Sequence, residues 1–247
     1  MGLRIFMHSV NLVFNQLSGA LRISTVLYLL SLVVSAIGYY FFLQSTMSGQ
    51  DGPQWQLYVT SIVAGLLYMW IAVAWHRFVL LDEMPGGWLP SFNSDRMLAY
   101  FGRSLLLILV AIAVAIPIGF VNGMLIYASN GSQPVAFLTT LVLIFVILVI
   151  SYRLAPMFPG AAVGQSIGLR AAWAATSGAT GTILGLAIIS SLASVAIDLP
   201  TFILRSLPAG QLLVFLWAAV TGWVKLMVGA SILTTIYGHY VEKREIM

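Results

Sequence analysis

The sequence predicts an all-α integral membrane protein with six transmembrane helices arranged as three hairpins and an N-terminal amphipathic interfacial helix. Two observations support this prediction. Only 7% of the 247 residues are charged, against roughly 25% in a soluble domain. Hydrophobic residues make up 60% of the chain, and the mean hydropathy is +1.00. These values exclude an ordinary soluble domain and a disordered chain, which needs low hydrophobicity and high charge.

The chain begins with a pattern typical of a surface helix, and we predict an interfacial helix over residues 1–20. The apolar residues recur at helical spacing, and polar residues lie opposite them. The apolar set is Leu3, Phe6, Met7, Val10, Val13, Phe14 and Leu17, and the polar set is Arg4, His8, Asn11 and Asn15. The helix would anchor the protein to the cytoplasmic surface or dock a partner helix, and the pattern leaves both roles open. We expect no cleavable signal peptide.

Six long apolar runs follow, within a single polytopic membrane domain over residues 1–247. A helix needs about 20 mainly apolar residues to cross the hydrocarbon core. The runs do not alternate as the strands of a membrane barrel do. We therefore predict spans at about 23–43, 57–75, 104–127, 135–152, 180–197 and 212–237.

The basic residues predict the orientation. Of the connections at 44–56, 128–134 and 198–210, only the last contains a basic residue, Arg205, whereas nine others flank the spans on the opposite side. By the positive-inside rule both termini lie in the cytoplasm, and we predict the bacterial inner membrane. The basic residues are too dispersed to predict binding to nucleic acid.

The two larger cytoplasmic connections look alike and suggest a duplicated hairpin. Pro85 and Pro159, like Arg96 and Arg170, are 74 residues apart, although Pro-Gly turns and flanking arginines also recur by chance. A short interfacial helix is predicted after each turn, over 96–101 behind an N-cap at 94–95 and from Ser166 to about residue 178.

Residues 152–178 carry a family resemblance. The segments Tyr-Arg-Leu at 152–154, Pro-Gly-Ala-Ala-Val-Gly at 159–164, Leu-Arg-Ala-Ala-Trp at 169–173 and Thr-Ser-Gly at 176–178 resemble a large group of uncharacterised bacterial six-span inner-membrane proteins. That group includes the membrane domain fused to some glycerophosphodiester phosphodiesterases. The resemblance implies an inner-membrane protein and brings no activity, because the chain has no soluble phosphodiesterase domain.

Lys225 is the strongest candidate functional residue, because a charge inside a membrane span is costly unless it is paired or hydrated. It lies near the middle of the last span, and Gly222 and Gly229 on its helical face indicate that it points into the bundle. It would hold an anionic group or fix the packing of the helices. Asp198, at the outer end of span five, is expected to be too shallow to pair with it.

The remaining candidates are weaker. Pro117, Gly119 and Asn122 predict a helix break of the kind that lines transporter sites, although proline kinks are ordinary in membrane helices. Gly181 and Gly185, with Gly222 and Gly229, predict close helix packing. The cytoplasmic charges form a candidate surface for a partner or a solvated loop. These are Arg77, Asp82, Glu83 and Arg96.

The three histidines lack the spacing of metal ligands, and we expect His76 to anchor the membrane interface beside Arg77. No catalytic residue, cofactor or metal is predicted, and a bound lipid stays open. The leading hypothesis is a non-enzymatic scaffold or accessory subunit that associates with membrane lipids and with other subunits or itself. The alternative is a transporter or lipid-handling protein that uses Lys225 and the Pro117 break.

Overall fold

The computed structural model describes residues 1–48 and 55–246. These residues form ten α-helices and a 3-10 turn at 177–179, and no strand. The helices are α1 (Gly2–Asn15), α2 (Leu17–Met47), α3 (Trp55–Leu81), α4 (Ser94–Ala128), α5 (Gln133–Leu154), α6 (Met157–Val163), α7 (Leu169–Ala175), α8 (Thr180–Asp198), α9 (Pro200–Leu204) and α10 (Gly210–Tyr240).

Six of the helical segments are long and apolar enough to cross a membrane. They are α2, α3, α4, α5 with α6, α8 with α9, and α10, and each contains one predicted span. The prediction of six membrane-spanning helices is confirmed to this extent. Part of the predicted connection at 44–56 lies outside the described residues.

Helix α4 runs unbroken from Ser94 to Ala128, so two predictions about it are wrong. The Asn93 side chain caps it by accepting a hydrogen bond from the Arg96 backbone N–H at 3.3 Å. The short helix predicted at 96–101 is therefore the beginning of α4. The predicted break at Pro117, Gly119 and Asn122 is also absent, because a proline removes a single N–H donor and a membrane helix can continue past it.

Helices α8 and α9 join with little change of direction. Leu199 keeps right-handed helical angles, φ −52° and ψ −41°, so Pro200 begins the next helix at once. Proline fits there because the first position of a helix needs no backbone donor. The helical path therefore extends beyond the predicted end at residue 197, to Leu204.

The largest buried side chains gather in one half of the bundle, which we call the packed half. They include Trp75, Ile183, Leu186, Met227 and Ile236, all within one apolar cluster. Helix α2 packs mainly on α3, and α4 packs on α5 and α6. The far parts of α4 and α5, the ends that adjoin the connection at 128–134, contain no buried residue. A continuous apolar stretch of 18 residues in α4 is likewise without a buried residue.

Helix α1 packs against α8 and α10 in the packed half. Its buried face consists of Gly2, Ile5, Ser9 and Val13, whereas Leu3, Met7 and Phe14 of the predicted apolar face are exposed. The contact is close at Gly2, where a Cβ atom would lie 2.7 Å from the Leu186 backbone nitrogen. The contact face therefore combines two small residues, Gly2 and Ser9, with two aliphatic residues, Ile5 and Val13.

Polar side chains cross-link the packed half. Trp75 Nε1 donates to Ser231 Oγ at 2.9 Å, and His76 Nδ1 lies 2.7 Å from Thr234 Oγ1. His76 is fully buried and stacks beside Tyr100 at a ring-centroid distance of 5.8 Å. The prediction of an interfacial anchor at His76 is wrong, because the imidazole finds its hydrogen-bonding partner on α10.

The connection from α5 to α8 folds into the bundle. Helix α6 is buried over residues 157–162 and contacts α3, α4 and α10. A second short helix, α7, begins at Leu169 behind Gly168, near the predicted start at Ser166. Residues 82–93 form no helix, so the two connections predicted to be duplicates differ in structure.

Candidate functional site

The Lys225 cavity lies between α1, α5, α8 and α10 and has a volume of about 570 Å³. Its wall is mainly apolar, and α1 contributes Phe6, Val10 and Phe14 to it. The polar groups come from the other three helices. They are Tyr152 on α5, Ser190, Ser191 and Ser194 on α8, and Lys225 on α10.

Lys225 on this wall forms an ion pair with Asp198, which is not itself among the residues that line the cavity. The Lys225 ammonium group donates to both carboxylate oxygens of Asp198, at 2.7 Å to Oδ1 and 2.6 Å to Oδ2. The side chains are 35% and 49% exposed, respectively. Neither group has another hydrogen-bonding partner in the described part of the chain. One ammonium N–H and several carboxylate lone pairs therefore stay available.

The expectation that Asp198 is too shallow for Lys225 is wrong. Because the helical path continues through Pro200 to Leu204, Asp198 lies six residues before its end, which is about 9 Å by helical rise. Lys225 reaches it across the interface between α8 and α10. Asp198 is not predictable as this partner from a span that ends at residue 197, because that boundary places it in the connection at 198–210.

Serine hydroxyls form a stripe on α8 that leads to the ion pair. Ser190, Ser194 and Asp198 follow at intervals of four residues and share one helix face. Ser190 accepts a hydrogen bond from the Tyr152 hydroxyl at 3.0 Å and donates to the Leu186 carbonyl at 2.8 Å. The Ser191 and Ser194 hydroxyls form no hydrogen bond with residues 1–48 or 55–246. The cavity therefore presents free hydroxyl groups beside a charged pair.

Of the glycines predicted to mediate packing, Gly185 contacts α1, because a Cβ atom on Gly2 would lie 3.0 Å from the Gly185 backbone carbon, and Gly222 contacts α2. A Cβ atom on Gly222 would lie 2.7 Å from the Tyr28 hydroxyl oxygen. Within the part of the chain that is described, a Cβ atom at Gly181, Gly185 or Gly229 would meet nothing within 4 Å. Gly229 instead lines the Lys225 cavity, and packing of Gly181 within the chain or against another copy stays a prediction.

Both arginines of the predicted partner surface make contacts within the chain. Arg77 forms a two-pronged ion pair with Glu83 at 2.5 and 2.8 Å and donates to the Ala162 carbonyl at 2.9 Å. The Arg96 guanidinium lies against Gly164, which ends α6 in a left-handed conformation with φ 89°. Asp82 is exposed. The two arginines thus contact α6, and a partner surface formed with Asp82 and Glu83 stays a prediction.

Two other histidines border a separate cavity of about 220 Å³ near the C-terminus. His8 and His239 line it together with Arg244, and His239 Nδ1 lies 3.2 Å from the Arg244 carbonyl oxygen. Among the described residues, no group of three or more acidic or histidine side chains could hold a metal ion.

Comparison of the chain with family models, curated proteins and solved structures finds no match. The resemblance to the six-span inner-membrane group therefore stays a prediction.

Proposed function

We propose that this protein is a non-enzymatic polytopic membrane protein that holds an amphiphilic ligand, a lipid in the broad sense, in the Lys225 cavity. One observation supports the proposal: Lys225, whose charge is balanced by Asp198 and which has an unused ammonium N–H, lies on the wall of a mainly apolar cavity beside the free hydroxyls of Ser191 and Ser194. An apolar cavity with a few convergent polar groups is the usual form of a ligand site. The proposed site includes Lys225, as the sequence predicts for a lipid-handling protein. Asp198, and not the helix break predicted at Pro117, is its second element.

The proposed setting is the bacterial inner membrane, with both termini in the cytoplasm. The distribution of basic residues supports this orientation. Helix α1 would then lie at the cytoplasmic interface, because one face contacts the bundle, one can contact lipid and one can contact water. Gly2 and Ile5 face the bundle, Leu3 and Met7 are exposed apolar residues, and Arg4 is exposed and charged.

Lys225 lies at mid-depth in this arrangement. It is 15 residues from each end of α10, which corresponds to about 22 Å by helical rise. A charge at that depth costs several kcal/mol unless it is paired or hydrated. Asp198 supplies a counter-charge, and a ligand head group would accept the ammonium N–H of Lys225 that Asp198 leaves unused.

Catalysis is not part of this proposal. A serine nucleophile needs an adjacent general base, and the imidazole of His76 hydrogen-bonds Thr234 rather than any serine of the cavity. Binding and positioning of the ligand are the functions that the polar groups support.

The test is to measure ligand retention in a variant whose cavity is filled. Gly229→Leu adds a side chain to the cavity wall, where a Cβ atom meets nothing within 4 Å, and Gly181→Leu adds the same side chain at an equally open position outside the cavity. We expect native mass spectrometry of protein extracted in mild detergent to find a stoichiometric amphiphile in the wild type and Gly181→Leu and not in Gly229→Leu. Equal retention in all three proteins would overturn the proposal.

A second proposed function is that of an accessory subunit or scaffold in a larger membrane complex or a homo-oligomer. The exposed apolar surface of the far parts of α4 and α5 favours it, with Phe120 71% and Phe137 63% exposed. The same extraction tests it by size, because a monomer carrying only lipid would contradict it.

A further inference from the structure

We infer that the ligand of the Lys225 cavity is a neutral, single-chain amphiphile whose head group carries hydroxyls, such as a monoacylglycerol. This inference rests on the proposed function and specifies the chemical class of its ligand. Charge, hydrogen-bonding capacity and cavity volume each lead to it.

The first argument is charge. The cavity lining contains one charged residue, Lys225, and the Asp198 carboxylate balances its charge at 2.6 and 2.7 Å from the ammonium nitrogen. The site is therefore electroneutral before any ligand binds. An anionic or cationic head group would leave one uncompensated charge inside the membrane, where charge is expensive. Lys225 alone predicts an anionic ligand, and Asp198 reverses that expectation.

The second argument is hydrogen bonding. Lys225 offers an unused ammonium donor at the wall, and Ser191 and Ser194 add free hydroxyls. A hydroxyl group on the ligand can accept from Lys225 and donate to a serine hydroxyl at once. A carboxylate or sulfate accepts only, and a quaternary ammonium group does neither. A hydroxyl-bearing head group therefore satisfies the ammonium group and the serine hydroxyls without adding a charge.

The third argument is size and wall chemistry. About 570 Å³ lies inside the range of about 300–1,000 Å³ for a small-molecule site. Phe6, Val10 and Phe14 of α1 provide an apolar wall. The cavity therefore suits one alkyl chain beside the polar stripe of α8 rather than the two chains of a phospholipid.

Three photoreactive probes with the same alkyl chain and the same diazirine position test the inference. Their head groups are glycerol monoester, sulfate and trimethylammonium, so that only the charge and hydrogen-bonding capacity differ. The wild-type protein is labelled in nanodiscs, and the labelled peptides are mapped by mass spectrometry. We expect the monoacylglycerol probe to label peptides of α1, α8 and α10 about tenfold more strongly than either charged probe. Unlabelled monoacylglycerol should compete, and unlabelled alkyl sulfate should not.

Charge variants supply an independent test. Asp198→Asn leaves a net positive site and should shift the preference to the sulfate probe, whereas Lys225→Met leaves a net negative site and should shift it to the trimethylammonium probe. Asp95→Asn and Lys243→Met make the same substitutions outside the cavity lining and should keep the wild-type preference. The wild-type competition needs no variant and stays informative if a variant fails to fold.

The outcomes separate the inference from the proposed function. Stronger cavity labelling of the wild type by a charged probe would overturn the inference and leave the amphiphile-binding proposal standing. An unchanged preference in a well-folded Asp198→Asn protein would also overturn it. If no probe labels the cavity and Gly229→Leu changes nothing, the proposed function itself falls.

Discussion

Arg153 and Thr176 bind each other reciprocally: the Arg153 guanidinium donates to the Thr176 carbonyl, and the Thr176 hydroxyl donates to the Arg153 carbonyl at 3.0 Å. The pair ties the end of α5 to the turn that leads into α8. Both residues are buried, and the guanidinium also lies over the Trp173 ring, 5.4 Å from its centroid. An arginine that flanks a membrane span is here a structural element of the packed half.

Arg153→Met should therefore destabilise the protein by about 2 kcal/mol, because it leaves the buried Thr176 carbonyl without its charged donor. Thermal unfolding in detergent measures the change. Arg170→Met is the matched control, because Arg170 is exposed and has no hydrogen-bonding partner among the described residues. Equal unfolding midpoints for the two variants would show that the reciprocal contact contributes nothing.

The position of α1 can be checked by disulfide cross-linking, because the chain contains no cysteine. Ser9 Oγ on α1 lies 3.0 Å from Thr235 Oγ1 on α10, which places the two side chains near enough for a disulfide. The Ser9→Cys/Thr235→Cys protein should form an intramolecular bond under mild oxidation. The Ser9→Cys/Thr221→Cys protein should not, since residue 221 lies about 21 Å further along α10 by helical rise. Failure of the first pair to cross-link would contradict the packing of α1.

The length of apolar runs was sufficient to predict the six long helices, because crossing a membrane imposes one length on all of them. The buried face of α1 was not predictable in this way. Gly2 and Ser9 rank low in hydropathy, yet a small side chain is what allows two helix backbones to approach closely. Hydropathy reports where a side chain prefers to be and does not report how near a neighbouring helix can come.

Of the ion pair at the candidate site, the sequence predicts Lys225 and does not predict Asp198. Lys225 stands out in an apolar span, whereas Asp198 was assigned to a loop because Pro200 follows it. A proline at the first position of a helix does not interrupt the helical path, and Leu199 before it keeps helical angles. Asp198 was therefore not identified as the partner of Lys225, because the proline two residues later is typical of a loop.

Gly222 provides a test of close packing. In Gly222→Ala the new methyl group would lie 2.7 Å from the Tyr28 hydroxyl, which donates to the Ala219 carbonyl at 2.7 Å. Loss of that hydrogen bond should cost about 1 kcal/mol. This loss offsets the stability that the higher helix propensity of alanine adds, so we expect no net gain. Gly181→Ala has open space and should gain about 0.5–1 kcal/mol. Thermal unfolding in detergent compares the two, and a more stable Gly222→Ala would refute the contact.

The orientation can be tested with paired reporters. A fluorescent protein that matures only in the cytoplasm, fused at the C-terminus, should be fluorescent. Alkaline phosphatase, which is active only in the periplasm, should be active when inserted in the connection at 128–134, which contains no basic residue. The reverse pattern would overturn the proposed placement of both termini.

The energetic coupling of Lys225 and Asp198 is best measured by a double-mutant cycle. Removal of one member of a buried ion pair costs 3–5 kcal/mol because the other charge stays uncompensated. These side chains are 35% and 49% exposed, so we expect a smaller loss in Lys225→Met and Asp198→Asn, about 2 kcal/mol or 5 °C in Tm each. The double variant leaves no charge unpaired, so its loss should be no larger than that of either single variant. Lys243→Met should unfold like the wild type, because Lys243 donates to the exposed Tyr240 carbonyl and not to an acidic residue. Strictly additive losses in the double variant would mean that the two charges do not stabilise each other in the folded protein.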